Sequence, residues 1–301
     1  MKAKCDSAPF RVRQALSEGA DALSESESAR LDAELLLAEA LGLDRSRLYL
    51  NPETPLDGRA QAEFRALLAR RRRGEPVAYL TGRREFWSLD FAVTPAVLMP
   101  RPETERLVEV TVDLFEAESQ LLDRELRILD LGTGSGAIAV SLAQEISNAE
   151  IWATDISSDA LEIARANASR YGLERRIHFF PGDLFDAVRD RPEFFDAIVA
   201  NPPYVRRADF ESLPRDVRDF EPRVALDGGA DGLDFYRRIV PEAPGYLAAR
   251  GFLALEIGAD LGAAVARLFA AAGCYAPSRL ERDYAGRDRV VSARLKGKVS
   301  G

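Results

Sequence analysis

A chain of 301 residues with 47% hydrophobic side chains has enough apolar material for one large or two ordinary domains with a sizeable core, which excludes a disordered chain. Its 41 basic and 49 acidic residues leave a net charge of −8, the wrong sign for a general DNA or RNA binder, so no direct contact with duplex DNA is expected. Cys5 and Cys274 stand far apart without a CxxC spacing and His178 is the only histidine, which predicts reduced structural cysteines and no metal site. The start, MKAKCDSAPFRVRQ, has no apolar signal region, and no stretch reaches the ~18 uncharged residues of a membrane span. A cytoplasmic monomer without a membrane partner is the expectation.

The first 74 residues read as a small helical domain. Helices are predicted over Pro9 to Leu23 and Ser26 to Leu41, the second with Leu31, Leu35, Leu36 and Leu41 on one face and Gly42 as C-cap. A short turn from Arg45 to Leu50 precedes the breakers Asn51-Pro52-Glu53-Thr54-Pro55, and Asp57 caps a further helix ending at Arg70-Arg71-Arg72-Arg73-Gly74. Charges up to Glu75 balance at 13 basic and 13 acidic, so the whole excess of acid belongs to the remainder of the chain. The arginine run reads as a solvated helix end favoured by the helix dipole, with a partner-binding patch as its rival. From Glu75 to Pro100 aromatic and β-branched residues with turn signals predict a β-hairpin linking two domains, the second spanning residues 101–301.

That second domain opens with PRPETERLVEVTVDLF, where Thr104 starts an amphipathic helix and Arg101, Glu103 and Glu105 crowd its N-terminus. Past Arg127, RILDLG, GAIAVSLAQEI, EIWATDI, DALEIARANASRYG, RIHFFPG, FDAIVAN, FYRRIV, GFLALEIG and AAVARLFAAAG alternate strand and helix. Such alternation predicts an α/β doubly wound parallel sheet, whose ligands bind beyond the carboxyl ends of the strands.

Four motifs fall at those ends. Gly132-Thr133-Gly134-Ser135-Gly136 is a glycine-rich turn between strand and helix, where a ligand can lie directly on main chain and helix N-terminus. Because Gly132, Gly134 and Ala137 also satisfy the dinucleotide spacing, the turn alone does not separate NAD from another adenosine-bearing cofactor. Asp155, 19 positions after Gly136, is placed to accept hydrogen bonds from ribose hydroxyls. Asp183 can receive an exocyclic amine while Leu184 helps enclose a base; helix and turn capping are the bland alternatives for Asp155 and Asp183.

The fourth motif is Asn201-Pro202-Pro203-Tyr204. Two consecutive prolines stop the strand Phe195 to Ala200 and fix two φ angles, so the Asn201 amide and the Pro202 carbonyl become pre-oriented acceptors beside the Tyr204 ring. Two acceptors next to a flat aromatic face suit a planar NH2 group, and accepting both N–H bonds would aim the nitrogen lone pair. A strand followed by a polyproline turn is the bland alternative.

LDLGTGSG, ATDIS, GDLF and NPPY together resemble a class I S-adenosylmethionine-dependent methyltransferase. With PRPETE, EPRVALDGGADGLDFYRRI, LEIG and DYAGRDRVV added, nearly the whole chain resembles the bacterial release factor glutamine methyltransferases, the PrmC/HemK family. The resemblance implies a helical substrate-recognition domain joined by a β-hairpin to a seven-stranded methyltransferase sheet. It implies S-adenosyl-L-methionine as cofactor and methylation of the glutamine amide nitrogen (N5) in the GGQ loop of class-one peptide chain release factors. Carried over by motif, the cofactor loop is Gly132 to Gly136, the ribose acid Asp155, the adenine side Asp183 and Leu184, and the substrate motif Asn201 to Tyr204. Leu184 departs from the tryptophan of some members, which weakens stacking there. Arg101 or Glu103 is a candidate to close the cofactor pocket. Among rivals, an adenine-N6 nucleic-acid methyltransferase also uses NPPY but needs a basic recognition region; a nicotinamide dehydrogenase leaves NPPY idle; a non-catalytic scaffold leaves all four strand ends unexplained.

Overall fold

The computed structural model describes residues 9–117, 124–190 and 194–296, and Cys5 lies outside them. It divides into two compact units, one of residues 1–82 with 215–220, the other of residues 83–214 with 221–301.

The first unit is helical: α1 (Val12–Ala22), α2 (Ala29–Leu41), α3 (Arg45–Leu50), α4 (Gly58–Arg72) and α5 (Val77–Thr81). Its core gathers Leu16, Leu36, Leu37, Leu48, Phe64 and Leu67. The Asp57 carboxylate caps α4 by accepting from Ala60 N at 2.7 Å, and Gly42 ends α2 at φ +62°. The buried face of α2 differs from the one expected, because Leu31 is exposed and the face turns on Leu36 and Leu37. Three consecutive leucines, 35–37, leave helical periodicity without a unique face, and the Asp32–Arg71 ion pair at 2.8 Å buries the flank beside them. Arg70 pairs with Glu75, so half of the arginine run is spent on contacts within the unit. The hairpin is shorter than expected: Val77–Thr81 form a helical turn between Pro76 and Gly82, and the strands are β1 (Arg83–Phe86) and β2 (Leu89–Ala92). Proline at the entrance and a glycine at φ +68° at the exit outweigh the β-branched composition of that turn.

After α6 (Glu105–Glu116), the second unit runs β3 (Leu126–Leu131), α7 (Ala137–Glu145), β4 (Ala149–Asp155), α8 (Ser158–Arg170), β5 (Ile177–Pro181) and β6 (Phe195–Ala200). The short α9 (Arg215–Phe220) groups with the helical unit. Next come α10 (Asp234–Glu242), β7 (Leu247–Glu256), α11 (Gly262–Ala272), β8 (Arg279–Arg282) and β9 (Asp288–Arg294). The seven-stranded sheet has the order β5-β4-β3-β6-β7-β9-β8. It is mixed rather than parallel throughout, since β9 runs antiparallel to both β7 and β8. The turn at residues 283–287 is too short for a crossover and can join only antiparallel strands.

Alternation along the central strands builds a core on each face. Ile128, Ala197, Val199, Phe252 and Ala254 point to one apolar cluster, and Leu129, Leu131, Ile198, Leu253 and Leu255 point to the other. Strands buried on both faces read as continuous apolar runs. The order reverses at β3, which pairs with β4 on one side and β6 on the other. The crevice beyond that switch point is where such sheets bind ligands, and the glycine turn and Asn201 leave the sheet there.

Candidate active site

One cavity gathers residues from four strand ends: Gly132 and Gly134 after β3, Asp155 at the end of β4, Asp183 and Leu184 after β5, and Asn201, Pro202 and Pro203 after β6. The glycine turn holds Gly132 at φ +72° and Gly134 at φ +56°, backbone that side chains rarely adopt, and a Cβ on either would meet no protein atom within 4 Å. Packing therefore does not demand glycine there; conformation and the open cavity do. Gly136 differs, because its Cβ would meet Ala164 at 3.1 Å, so it serves the close approach of α7 to α8.

Gly134 N donates to Asp155 Oδ2 at 2.8 Å and Ser157 N to Oδ1 at 2.9 Å, so the loop after β3 and the end of β4 are tied through one carboxylate. Burial raises the Asp155 pKa against these bonds. Beneath the turn, Asp130 is fully buried and accepts from Thr133 Oγ1 at 2.6 Å; burial pushes its pKa up to about 7. Asp183 is already engaged, with Arg238 Nη2 donating to its Oδ2 at 2.6 Å. Leu184 sits at φ +51°, a position of backbone strain for a leucine and a mark of functional loops.

Asn201 Nδ2 donates to Thr104 Oγ1 at 3.2 Å. One N–H of the amide is thereby engaged by the protein, no bond to its oxygen is formed among the described residues, and Asn201 is among the residues that line the cavity. Behind the motif, Val205 N donates to Leu226 O and Gly228 N to Val205 O, both at 2.9 Å, pairing the end of NPPY with the segment 226–228. A Cβ on Gly228 would stand 2.6 Å from Tyr204 Cα.

Not every expected site residue lines the cavity. Thr133 bonds Asp130, and the Ser135 carbonyl accepts from Asn167 Nδ2 at 2.8 Å. Tyr204 packs against the apolar cluster of Tyr236, Leu253 and Leu261, and burial pushes its phenol well above the usual tyrosine range. Arg101 is drawn to the buried Glu221, whose Oε2 also accepts from Met99 N at 3.4 Å, and Glu103 is exposed. Neither Arg101 nor Glu103 is among the lining residues. Sequence reasoning missed Ala96 to Leu98, Ile156, Val224, Phe235 and Arg238, which complete the wall. Ile156, 60% exposed beside Asp155, was the most legible of these, since an apolar residue at a strand end has no place in a core.

Among the described residues no group of three His, Cys, Asp or Glu side chains is placed to hold a metal ion, and no helix is long and apolar enough to cross a membrane. His178 Nε2 lies 3.2 Å from Glu150 Oε1 on the neighbouring strand.

A glycine turn, two acids and an Asn-Pro-Pro motif at successive strand ends of a 5-4-3-6-7-9-8 sheet define a class I methyltransferase. The fold resembles a methyltransferase from Pyrococcus furiosus (TM-score 0.50, 20% identity, covering 70% of this chain and 91% of that one). It also resembles the N-terminal domain of human METTL16 in complex with SAH (TM-score 0.51, 17% identity, 81% and 86% covered). Residues 14–82 match the PrmC N-terminal domain and residues 112–213 the methyltransferase small domain. The release factor glutamine methyltransferase of Moorella thermoacetica is 48% identical over 94% of this chain and 98% of its own length. Those of Geobacter sulfurreducens and Vibrio cholerae are 44% and 43% identical, over 89% and 91% of this chain and 90% and 92% of theirs. The chain belongs to the release factor glutamine methyltransferase family.

Proposed function

We propose that this methyltransferase transfers the methyl group of S-adenosyl-L-methionine to the side-chain amide nitrogen of the glutamine in the GGQ loop of class-one peptide chain release factors. The observation that carries the reading is the Asn201 amide, anchored through its donor with its acceptor free, in the same cavity as Asp155 and the glycine turn.

The donor set fits the cofactor. Asp155 is a carboxylate for a ribose diol, Asp183 an acceptor beside Leu184 for an adenine amine, and the open positions over Gly132 and Gly134 admit a ligand against the backbone. When bound, the cofactor supplies an electrophilic methyl on a sulfonium. The protein supplies alignment. An amide nitrogen is a poor nucleophile because its lone pair is delocalised into the carbonyl. Asn201 Oδ1 and the Pro202 carbonyl would accept its two N–H bonds, stop its rotation and hold its lone pair toward the methyl. Alignment of this kind can be worth ~7–11 kcal/mol in favourable intramolecular cases. Solvent takes the proton once the methylated amide carries positive charge. Tyr204 acts from behind, by fixing the motif's backbone in its glycine-lined seat. The helical unit, which contributes no cavity residue, is assigned to recognising the release factor.

Labelled methyl transfer to an intact release factor tests the reading. Label enters the factor with its GGQ glutamine and not the same factor with alanine there; equal labelling of both overturns the substrate assignment. Asp155→Ala weakens S-adenosyl-L-methionine by roughly 1.5–3 kcal/mol, the value of a hydrogen bond to a charged group, with folding preserved. Unchanged affinity by calorimetry removes Asp155 from the cofactor site.

A further inference from the structure

Asp155 and Asp183 both line the cavity, and the protein holds them differently. Asp155 accepts from two backbone N–H groups, Gly134 N and Ser157 N, so the main chain fixes its oxygens. Asp183 has no such tie. It stands at the N-cap of the 3-10 helix Leu184–Val188, yet its side chain makes no capping bond, which removes the capping alternative for this acid. The backbone beneath it is closely set: a Cβ on Gly182 would stand 2.8 Å from Ala187 Cα, and Leu184 sits at φ +51°. Fixing the backbone does not fix the carboxylate, which can still rotate about its side-chain torsions.

Among the described residues one group stops that rotation: Arg238 Nη2, from α10 and 55 positions away in sequence, donates to Asp183 Oδ2 at 2.6 Å. Arg238 lines the same cavity as Phe235 one helical turn earlier, and its guanidinium lies over the Phe235 ring at 5.8 Å from the centroid. The adjacent Arg237 is drawn away to Asp231 and Asp234 and does not compete. The side chains of Arg238 and Asp183 are 46% and 38% exposed, and an ion pair this open to water adds little to folding. Its effect is geometric. Oδ2 is taken up by Arg238, and Oδ1 has no partner among the described residues.

We propose that Arg238 is a positioning residue for cofactor selection: by binding Oδ2 it makes Asp183 Oδ1 a fixed acceptor for an exocyclic amine, so the site prefers an adenine-bearing cofactor to the same molecule without that amine. The inference rests on the cofactor reading above. A carboxylate held in place before the ligand arrives loses no rotational freedom on binding, so the full strength of the amine bond counts toward affinity. Without Arg238 the carboxylate must be ordered at that moment, and the gain from the amine shrinks. Contacts made elsewhere in the cavity are the same for both ligands and cancel from the comparison.

The experiment measures binding to the full chain by calorimetry. Its probes are S-adenosyl-L-homocysteine and the 6-deamino analogue, which carries hydrogen in place of the adenine amine. The unmodified protein binds the first at least about tenfold more tightly, as a hydrogen bond to a charged group requires. In Arg238→Ala that ratio falls to about twofold to threefold, chiefly because S-adenosyl-L-homocysteine binds more weakly, and the Tm changes little. Arg238→Lys keeps a charged donor and restores part of the ratio. Asp183→Ala abolishes it, and adding Arg238→Ala to Asp183→Ala weakens S-adenosyl-L-homocysteine by less than about twofold further, because the arginine acts through the acid. Equal weakening of both probes in Arg238→Ala, an unchanged ratio, or additive losses in the double variant would make Arg238 a plain part of the wall and overturn the proposal. Failure of the unmodified protein to bind either S-adenosyl-L-homocysteine or S-adenosyl-L-methionine strikes the cofactor reading itself, and the proposal with it.

Discussion

Replacing Asn201 by alanine lowers turnover by at least about 10²-fold while cofactor affinity changes much less. The substitution removes the side-chain acceptor that the NPPY motif contributes to the cavity wall and leaves the Pro202 carbonyl, the strand end and the glycine turn in place. The substrate amide then keeps one of two anchors and is free to rotate, which penalises the transition state more than the ground state. Asp155, Asp183, Gly132 and Gly134, the cavity residues proposed above to hold the cofactor, are left unchanged. Asn201→Asp separates geometry from charge: it retains an acceptor of the same size, adds a negative charge beside the cofactor sulfonium, and retains partial activity. Single-turnover methylation by Asn201→Ala at the unmodified rate, with equal cofactor binding, would sink the two-acceptor mechanism.

The second large effect is expected at a residue that touches no ligand. In Gly228→Ala the new Cβ lies 2.6 Å from Tyr204 Cα, 2.7 Å from Tyr204 C and 2.9 Å from Pro203 O, all backbone atoms that no side-chain rotation can move aside. Overpacking of this kind costs roughly 1–3 kcal/mol of stability, and relief comes from displacing the NPPY backbone. A shift of about 1 Å in a positioning group can cost on the order of 10²-fold in rate. The expected result is a folded protein with a modestly lowered Tm, near-normal cofactor binding and turnover reduced about a hundredfold. Full activity at an unchanged Tm would show that the segment 226–228 yields without moving the motif. Gly258→Ala is the control: its Cβ comes no nearer than 3.3 Å to the Leu261 and Tyr204 side chains, which can adjust.

The strands were legible because burial on both faces writes β3, β6 and β7 as unbroken apolar runs, and because glycines and prolines mark where each run stops. The site was legible for the same reason: its acids and Asn201 stand at those stops, and the sheet topology brings the stops together. Other parts depend on partners distant in sequence. Nothing near Thr104 announces that its hydroxyl meets Asn201, 97 positions away, and Asp183 gives no local sign of Arg238. The antiparallel β9 was hidden because a central strand reads alike in either direction. The place of Tyr204 in the motif points to the substrate, whereas its ring packs on apolar side chains contributed mostly by residues after 230.

The membership of α9 in the helical unit has a consequence for synthesis. The unit's first five helices are all encoded by residue 82, but its last piece, residues 215–220, is encoded inside the other unit. At typical elongation rates the nascent helices wait on the order of ten seconds for it. A chain truncated after Gly82 never receives α9, so the helical unit cannot be excised complete as a contiguous N-terminal fragment. No side chain of α9 is fully buried and none belongs to the unit's core, so the early helices can assemble that core without it during the interval. Linear order on the gene and membership in a folded unit are thus decoupled here, and pulse-labelled ribosome-bound chains would display the two stages separately.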